Sequence, residues 1–180
     1  VELLSRKAGD MASCIPAVPP ILPDKSKFRI SSTFGYRSDP ISGHTKMHTG
    51  FDFACKPGNP VYASGDGTVE SVNFDLFNYG TSVVIDHGFG YKTRYAHLKT
   101  AYVVEGMKLK RGECLGESGN TGKSTGPRRH YEVIYKGRYV NPGNYFDIDM
   151  PLNEYRSMIT KVADESDNVM TGHIRKTRRR

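Results

Sequence analysis

Histidine and carboxylate side chains occur in this sequence at spacings that suit a bound metal ion. His48 precedes Asp52 by four residues, and His130 precedes Glu132 by two. Two histidines and one carboxylate form a ligand set that leaves a fourth zinc position open for water, as in catalytic zinc sites. Such a water molecule has its pKa lowered towards neutrality and can attack a carbonyl that the metal polarises. Glu132 either orients a ligand histidine or faces solvent.

The spacing also predicts which of these residues share a face of a strand. Side chains alternate along a strand, so His48 and Asp52 would point to the same side if one strand carried both. His97 ends a predicted strand over 91–97 and would share a face with Tyr95. A lone histidine at a strand end is more often a surface or hydrogen-bonded residue than a ligand. The histidines interpreted in that way are His44, His87 and His173.

The composition favours a β-rich globular domain as the frame for such a site. The chain has 180 residues, of which 37% are hydrophobic and 25% charged, and no apolar run is long enough to cross a bilayer. Nineteen glycines, ten prolines and eleven tyrosines favour short strands and tight turns. Three cysteines without a C-x-x-C pair exclude a cysteine-rich metal site. Cys55 and Cys114 are either thiols or a pair.

Periodicity and turn signals divide the chain into four parts. Four prolines between residues 16 and 23 predict an extended linker, because proline is incompatible with a helix interior. Apolar residues at helical spacing follow Pro151 and predict a C-terminal helix. The predicted strands are 28–32, 61–63, 68–72, 81–86, 91–97 and 128–135. The predicted parts are an N-terminal segment and linker (1–27), a β domain (28–147), a helix (148–166) and a basic tail (167–180).

The positive charge of the chain does not predict nucleic-acid binding. The net charge is +7, but residues 175–180 carry five positive charges and no negative one. The rest of the chain is therefore close to neutral, and a basic terminal run is most often a solvated tail. We expect no specific nucleic-acid partner, and the sequence leaves the oligomeric state open.

A series of short motifs resembles the LytM-domain, or lysostaphin-type, peptidoglycan endopeptidases. Met47 to Ala54 contains His48 and Asp52, and Tyr95-Ala96-His97-Leu98 contains His97. The other matching segments, in the order of the family, are 34–37, 60–69, 84–88, 116–122, 124–127 and 130–132. The resemblance covers residues 28 to 147. It implies a mainly β fold, a compact antiparallel sheet or sandwich with a duplicated hybrid motif, ahead of the predicted C-terminal helix.

The resemblance also implies a role for each candidate site residue. It implies that His48, Asp52 and His130 hold Zn²⁺ and that His97 lies beside the zinc-bound water and assists catalysis. The implied substrates are the peptide cross-links or bridges of bacterial peptidoglycan. The implied location is the bacterial cell envelope, periplasmic or extracellular, and any membrane tether would lie outside this chain.

One position departs from the family pattern. Where the family has H-x-H, this chain reads Arg128-Arg129-His130. Arg128 should share a face with His130, because they are two residues apart on a strand. Arginine stays protonated and has no acceptor, so it cannot be a general base, although it can donate hydrogen bonds to an oxyanion. The sequence therefore predicts either an enzyme of reduced activity or a degenerate member that binds peptidoglycan or regulates another wall hydrolase.

Overall fold

The computed structural model describes residues 9–24, 28–39, 41–120, 128–147 and 149–159, and describes residue 128 by its backbone alone. Twelve strands and three short helical segments lie within these ranges. The strands are β1 (Phe28–Ser32), β2 (Gly35–Ser38), β3 (Thr45–His48), β4 (Phe51–Cys55), β5 (Pro60–Tyr62), β6 (Gly67–Asp75), β7 (Gly80–Gly88), β8 (Tyr91–Ala101), β9 (Lys108–Leu109), β10 (Cys114–Ser118), β11 (Arg128–Tyr135) and β12 (Arg138–Val140). The helical segments are α1 (9–14), a 3₁₀ turn (Pro142–Asn144) and α2 (152–159).

One antiparallel sheet contains ten of these strands. Its main path runs β1-β4-β11-β8-β7-β6-β9, with β12 paired to β11 and β10 paired to both β5 and β8. β2 and β3 form a separate hairpin. This confirms the mainly antiparallel β fold that the sequence predicts. β11 lies in the middle, between β4 and β8, so residues of three strands meet across it.

The register of these central strands separates a site face from a core face. Asp52 of β4 and Ala96 of β8 both pair with His130 of β11, so they lie in one row across the sheet. Glu132 pairs with Arg94 on the same face. The opposite face carries large buried side chains that form the main core. They include Phe53, Tyr95, Tyr131 and Val133.

β8 is longer than the sequence predicts. It continues from His97 to Ala101 because its second half pairs with β10, from Leu98↔Ser118 to Ala101↔Gly116. The exposed residues Lys99 and Thr100 give no local signal for this pairing.

The proline-rich segment before β1 packs on the sheet instead of standing away from it. Val18, Pro20 and Ile21 are buried, and the Tyr62 amide donates to the carbonyl of Pro20 at 2.8 Å. Nη2 of the buried Arg111 donates to the carbonyls of residues 12 and 15 at 2.6 and 2.8 Å. The described part of this segment is therefore held by backbone and guanidinium hydrogen bonds.

The short helix α2 completes a second, smaller core. Tyr155 is fully buried and packs with Val18 and Met150, so the two ends of the described chain meet. Residues 160–166 of the predicted helix, and the basic tail with His173, lie outside the described residues. The described residues contain no helix long and apolar enough to cross a membrane. The three cysteines are free thiols.

A buried histidine away from the candidate ligands forms part of a polar chain in the core. His87 is 3% exposed, with Nδ1 2.7 Å from the carbonyl oxygen of Asp66 and Nε2 2.7 Å from Oγ1 of Thr93. A carbonyl can only accept, so Nδ1 carries a ring proton, and Nε2 shares a hydrogen bond with the hydroxyl. Burial lowers the pKa of His87, and the charge of Arg111 lowers it further. The hydrogen bond to Asp66 and the charges of Asp86 and Asp66 raise the pKa, but burial outweighs them. The ring is therefore neutral in the folded protein.

We expect His87 to make the protein less stable as the pH falls. The unfolded ring titrates near a pKa of about 6.5, and the folded ring below it, so the unfolded state binds more protons between the two values. The free energy of unfolding then decreases with falling pH by up to about 1.4 kcal/mol per pH unit. Urea unfolding between about pH 8 and 5 should show this slope reduced in His87→Gln. The slope should be kept in His44→Gln, whose ring is exposed. Equal slopes in wild type and His87→Gln would contradict the assignment.

Candidate metal centre

His48 and Asp52 reach the same site from two different strands. His48 ends β3 and Asp52 lies within β4, so strand alternation does not relate the two side chains. The chain passes between them through Gly50, where a Cβ would lie 2.1 Å from the carbonyl oxygen of Tyr131. Only glycine allows this close approach to β11. The spacing of four therefore reflects a tight link between two elements and not strand alternation.

Hydrogen bonding fixes the tautomer of His48. Its Nδ1 lies 2.7 Å from the carbonyl oxygen of Thr33. Because that oxygen can only accept, Nδ1 carries a proton, and Nε2 is the nitrogen left to bind a metal. Nε2 lies 3.3 Å from Oδ2 of Asp52. The ring is thus held with its available nitrogen facing the carboxylate.

His130 lies between two carboxylates. Its Nδ1 is 2.8 Å from Oδ1 of Asp52, and its Nε2 is 3.0 Å from Oε1 of Glu132. Burial disfavours the charged ring, but these hydrogen bonds and charges outweigh burial and raise the pKa of His130 to about 9. Burial alone would raise the pKa of Asp52. The hydrogen bonds from His130 and His48 outweigh burial and hold that pKa below its usual range. Asp52 is therefore ionised at neutral pH.

The three candidate ligands form one buried cluster. One donor atom from each of His48, Asp52 and His130 lies within 4.8 Å of the others, and all three residues are buried. A tetrahedral zinc site with ligands at roughly 2.0–2.2 Å places ligand atoms about 3.3–3.6 Å apart. The 3.3 Å between Nε2 of His48 and Oδ2 of Asp52 matches that spacing, and an ionised carboxylate with two imidazoles is a ligand set that zinc takes. The donor set therefore suits Zn²⁺.

His97 lies on the site side of the sheet because β8 is irregular there. The pairing with β7 shifts between Val83↔Tyr95 and Thr81↔Leu98, and His97 has a φ of +57°. A bulged residue re-aims its side chain out of the strand alternation. The ring of His97 is buried, 6.5 Å from that of His130 between centroids. The prediction that His97 shares the face of Tyr95 is therefore wrong.

Arg128 begins β11, where its backbone pairs with Ala54 of β4. It is two residues from His130 in the same strand. Its side chain is outside the described part of the structure, so its predicted position near the metal site stays a prediction.

Sequence reasoning missed the residues that surround Glu132. This carboxylate is buried, so the solvent-facing alternative is wrong. Three side chains from separate elements donate to it, and no motif in the sequence points to them. They are Thr49, Tyr79 and Arg94.

Residues 46–142 match the model of peptidase family M23. The chain belongs to this family. It is 48% identical over 120 residues to the peptidoglycan DD-endopeptidase ShyA of Vibrio cholerae, covering 66% of this chain and 28% of that protein. Two solved M23 relatives share the fold. A zinc-containing peptidase from Vibrio cholerae is 39% identical, with a TM-score of 0.65 over 70% of this chain and 39% of that one.

The second solved relative is the catalytic domain of lysostaphin from Staphylococcus simulans. It is 26% identical, with a TM-score of 0.59 over 66% of this chain and 91% of that domain. These matches confirm the lysostaphin-type resemblance and the M23 fold. The chain spans little more than a quarter of the length of ShyA.

Proposed function

We propose that this M23 protein is a zinc metallo-endopeptidase that hydrolyses peptide cross-links or bridges of bacterial peptidoglycan. The observation that carries the proposal is the convergence of His48 Nε2, an ionised Asp52 and His130 Nδ1 in one buried cluster. The name of the Vibrio cholerae relative, a peptidoglycan DD-endopeptidase, supports the substrate class. Action on peptidoglycan would place the protein in the cell envelope.

A metal ion fits the chemistry of this cluster. Histidine and carboxylate ligands in a three-residue set match catalytic zinc sites. When bound, Zn²⁺ would polarise the peptide carbonyl and activate a water molecule. The chain itself supplies the fixed orientations of the three ligands and a buried site from which bulk water is largely excluded.

His97 is the residue that we assign to proton transfer. It lies near His130 on the site face, and an imidazole can accept a proton on one nitrogen and donate from the other. Its backbone is held from both sides, because its amide donates to the carbonyl of Tyr79 at 2.8 Å and its carbonyl accepts from Gly119 at 3.1 Å. A fixed base of this kind typically contributes about 10²- to 10⁴-fold to the rate.

We expect His97→Asn to lower kcat by about 10²- to 10⁴-fold while leaving zinc content unchanged. Asparagine tolerates the left-handed backbone found at this position, so the variant removes the imidazole without adding backbone strain. Hydrolysis rates of a cross-linked peptide, measured beside zinc content, test this. A rate within threefold of wild type would exclude His97 from proton transfer.

A second candidate function follows from Arg128. Arginine in place of the first histidine of H-x-H favours a degenerate member that binds peptidoglycan or regulates another wall hydrolase, because a guanidinium cannot act as a base. The test that separates the two functions is digestion of purified sacculi. The enzyme should contain about one zinc per chain and release peptide fragments in a chelator-sensitive way. Stoichiometric zinc without cleavage of any wall type would favour the degenerate member.

A further inference from the structure

Glu132 is a fully buried carboxylate with four hydrogen-bond donors around it. It is 0% exposed. Oε1 accepts from the hydroxyl of Thr49 at 2.6 Å, from the hydroxyl of Tyr79 at 3.0 Å, and lies 3.0 Å from Nε2 of His130. Oε2 accepts from Nη1 of Arg94 at 2.7 Å. Burial of a carboxylate without partners costs free energy. The four donors around Glu132 offset that cost and hold the carboxylate in place.

The four donors come from four different parts of the fold. Thr49 directly follows the candidate ligand His48, and His130 is a candidate ligand itself. Tyr79 precedes β7, and its carbonyl accepts the amide of His97. Glu132 therefore connects the segments that carry both histidine ligands and the backbone that holds His97.

Charge and ring packing keep these donors in place. The guanidinium of Arg94 lies 4.6 Å from the centroid of the Tyr79 ring while it donates to Glu132. Burial and the neighbouring Glu132 carboxylate raise the pKa of Tyr79, so its hydroxyl stays protonated and can donate. An ionised Glu132 can only accept, so Nε2 of His130 carries a proton, and the ring orientation places Nδ1 beside Asp52.

We propose that Glu132 is the positioning residue of the metal centre, and that it fixes the ring orientation of His130 and connects it to the segments carrying His48 and His97. This inference rests on the proposed function, because it assumes that His130 binds a metal through Nδ1. Partners of this kind orient metal-bound histidines and increase their basicity, and their loss typically weakens metal binding by about 10- to 100-fold.

Glu132→Gln tests this role with little change in shape. One amide oxygen cannot replace two carboxylate oxygens, so an NH₂ group would face a donor either at the His130 side or at Arg94. We expect the zinc affinity, measured by competition with a chelator of known affinity, to fall by about 10- to 100-fold. We also expect the Nε2 proton of His130, followed by NMR in the zinc-loaded protein, to exchange faster. Glu70→Gln is the matched control, because Glu70 forms an exposed ion pair with Lys92.

Measurements on a second variant and on the wild type distinguish the positioning role from a merely structural one and from failure of the proposed function. Tyr79→Phe removes one donor to Glu132 and should weaken zinc binding several-fold, which decides the question if Glu132→Gln does not fold. A lower free energy of unfolding with unchanged zinc affinity and unchanged Nε2–H exchange would overturn the positioning role. Failure of the wild type itself to bind zinc would instead overturn the proposed function.

Discussion

Asp52→Asn should lose both bound zinc and peptidoglycan hydrolysis. Asp52 is the one acidic group among the three candidate ligands, and its two oxygens lie 3.3 Å from Nε2 of His48 and 2.8 Å from Nδ1 of His130. The asparagine side chain has nearly the same shape but no charge. We therefore expect zinc to bind at least about 100-fold more weakly. Loss of a side chain that only orients a metal ligand typically costs about 10- to 100-fold in affinity, and loss of a ligand should cost no less.

The measurements for Asp52→Asn are zinc content after dialysis and release of peptides from sacculi. Asp75→Asn is the control, because Asp75 is exposed at the end of β6 and its side chain accepts a local hydrogen bond from the amide of Phe77. The control should keep both zinc and activity. Retention of one zinc per chain by Asp52→Asn would show that the metal is held elsewhere.

Arg128→His should raise the rate of hydrolysis by about 10²- to 10⁴-fold, the usual contribution of one positioned acid or base. The substitution restores the H-x-H pattern in front of His130. A histidine can exchange a proton in the neutral pH range, whereas the guanidinium of Arg128 stays protonated. It also removes a fixed positive charge from the strand that carries the metal ligand. Zinc content should stay at one per chain in both proteins.

Arg128→Met separates the two roles that remain for the arginine. If the guanidinium contributes nothing to the reaction and the low rate comes only from the missing histidine, Arg128→Met should be as slow as the wild type. If the guanidinium stabilises an oxyanion, Arg128→Met should be slower still, and Arg128→His should not be faster than wild type. A decrease in rate for Arg128→His would contradict the account of a weakened enzyme.

The antiparallel fold and the identity of the candidate ligands could be predicted from the sequence because both depend on local signals. Turn residues and alternating strands predicted most of the sheet. His48, Asp52 and His130 stand in short motifs with fixed spacing, and the structure brings these three together. Strand alternation does not explain why His48 and Asp52 meet, because the break between them at Gly50 depends on close contact with β11.

The parts that the sequence could not predict depend on contacts between distant segments. The bulge at His97 exists because β7, β8 and β10 pair with a shifted register, which no local pattern encodes. The three donors to Glu132 other than His130 lie 38 to 83 residues away along the chain. The position of the residues just before the proline-rich segment likewise depends on Arg111, about 100 residues further on.

The most direct test of the central claim is mass spectrometry of a purified cross-linked muropeptide dimer incubated with the zinc-loaded protein in ¹⁸O water. The account predicts that the dimer is converted to monomers, that one product gains a single ¹⁸O in its new carboxylate, and that a chelator stops the reaction until zinc is restored. An intact dimer in the presence of protein with one bound zinc per chain would contradict the claim that this site is an endopeptidase.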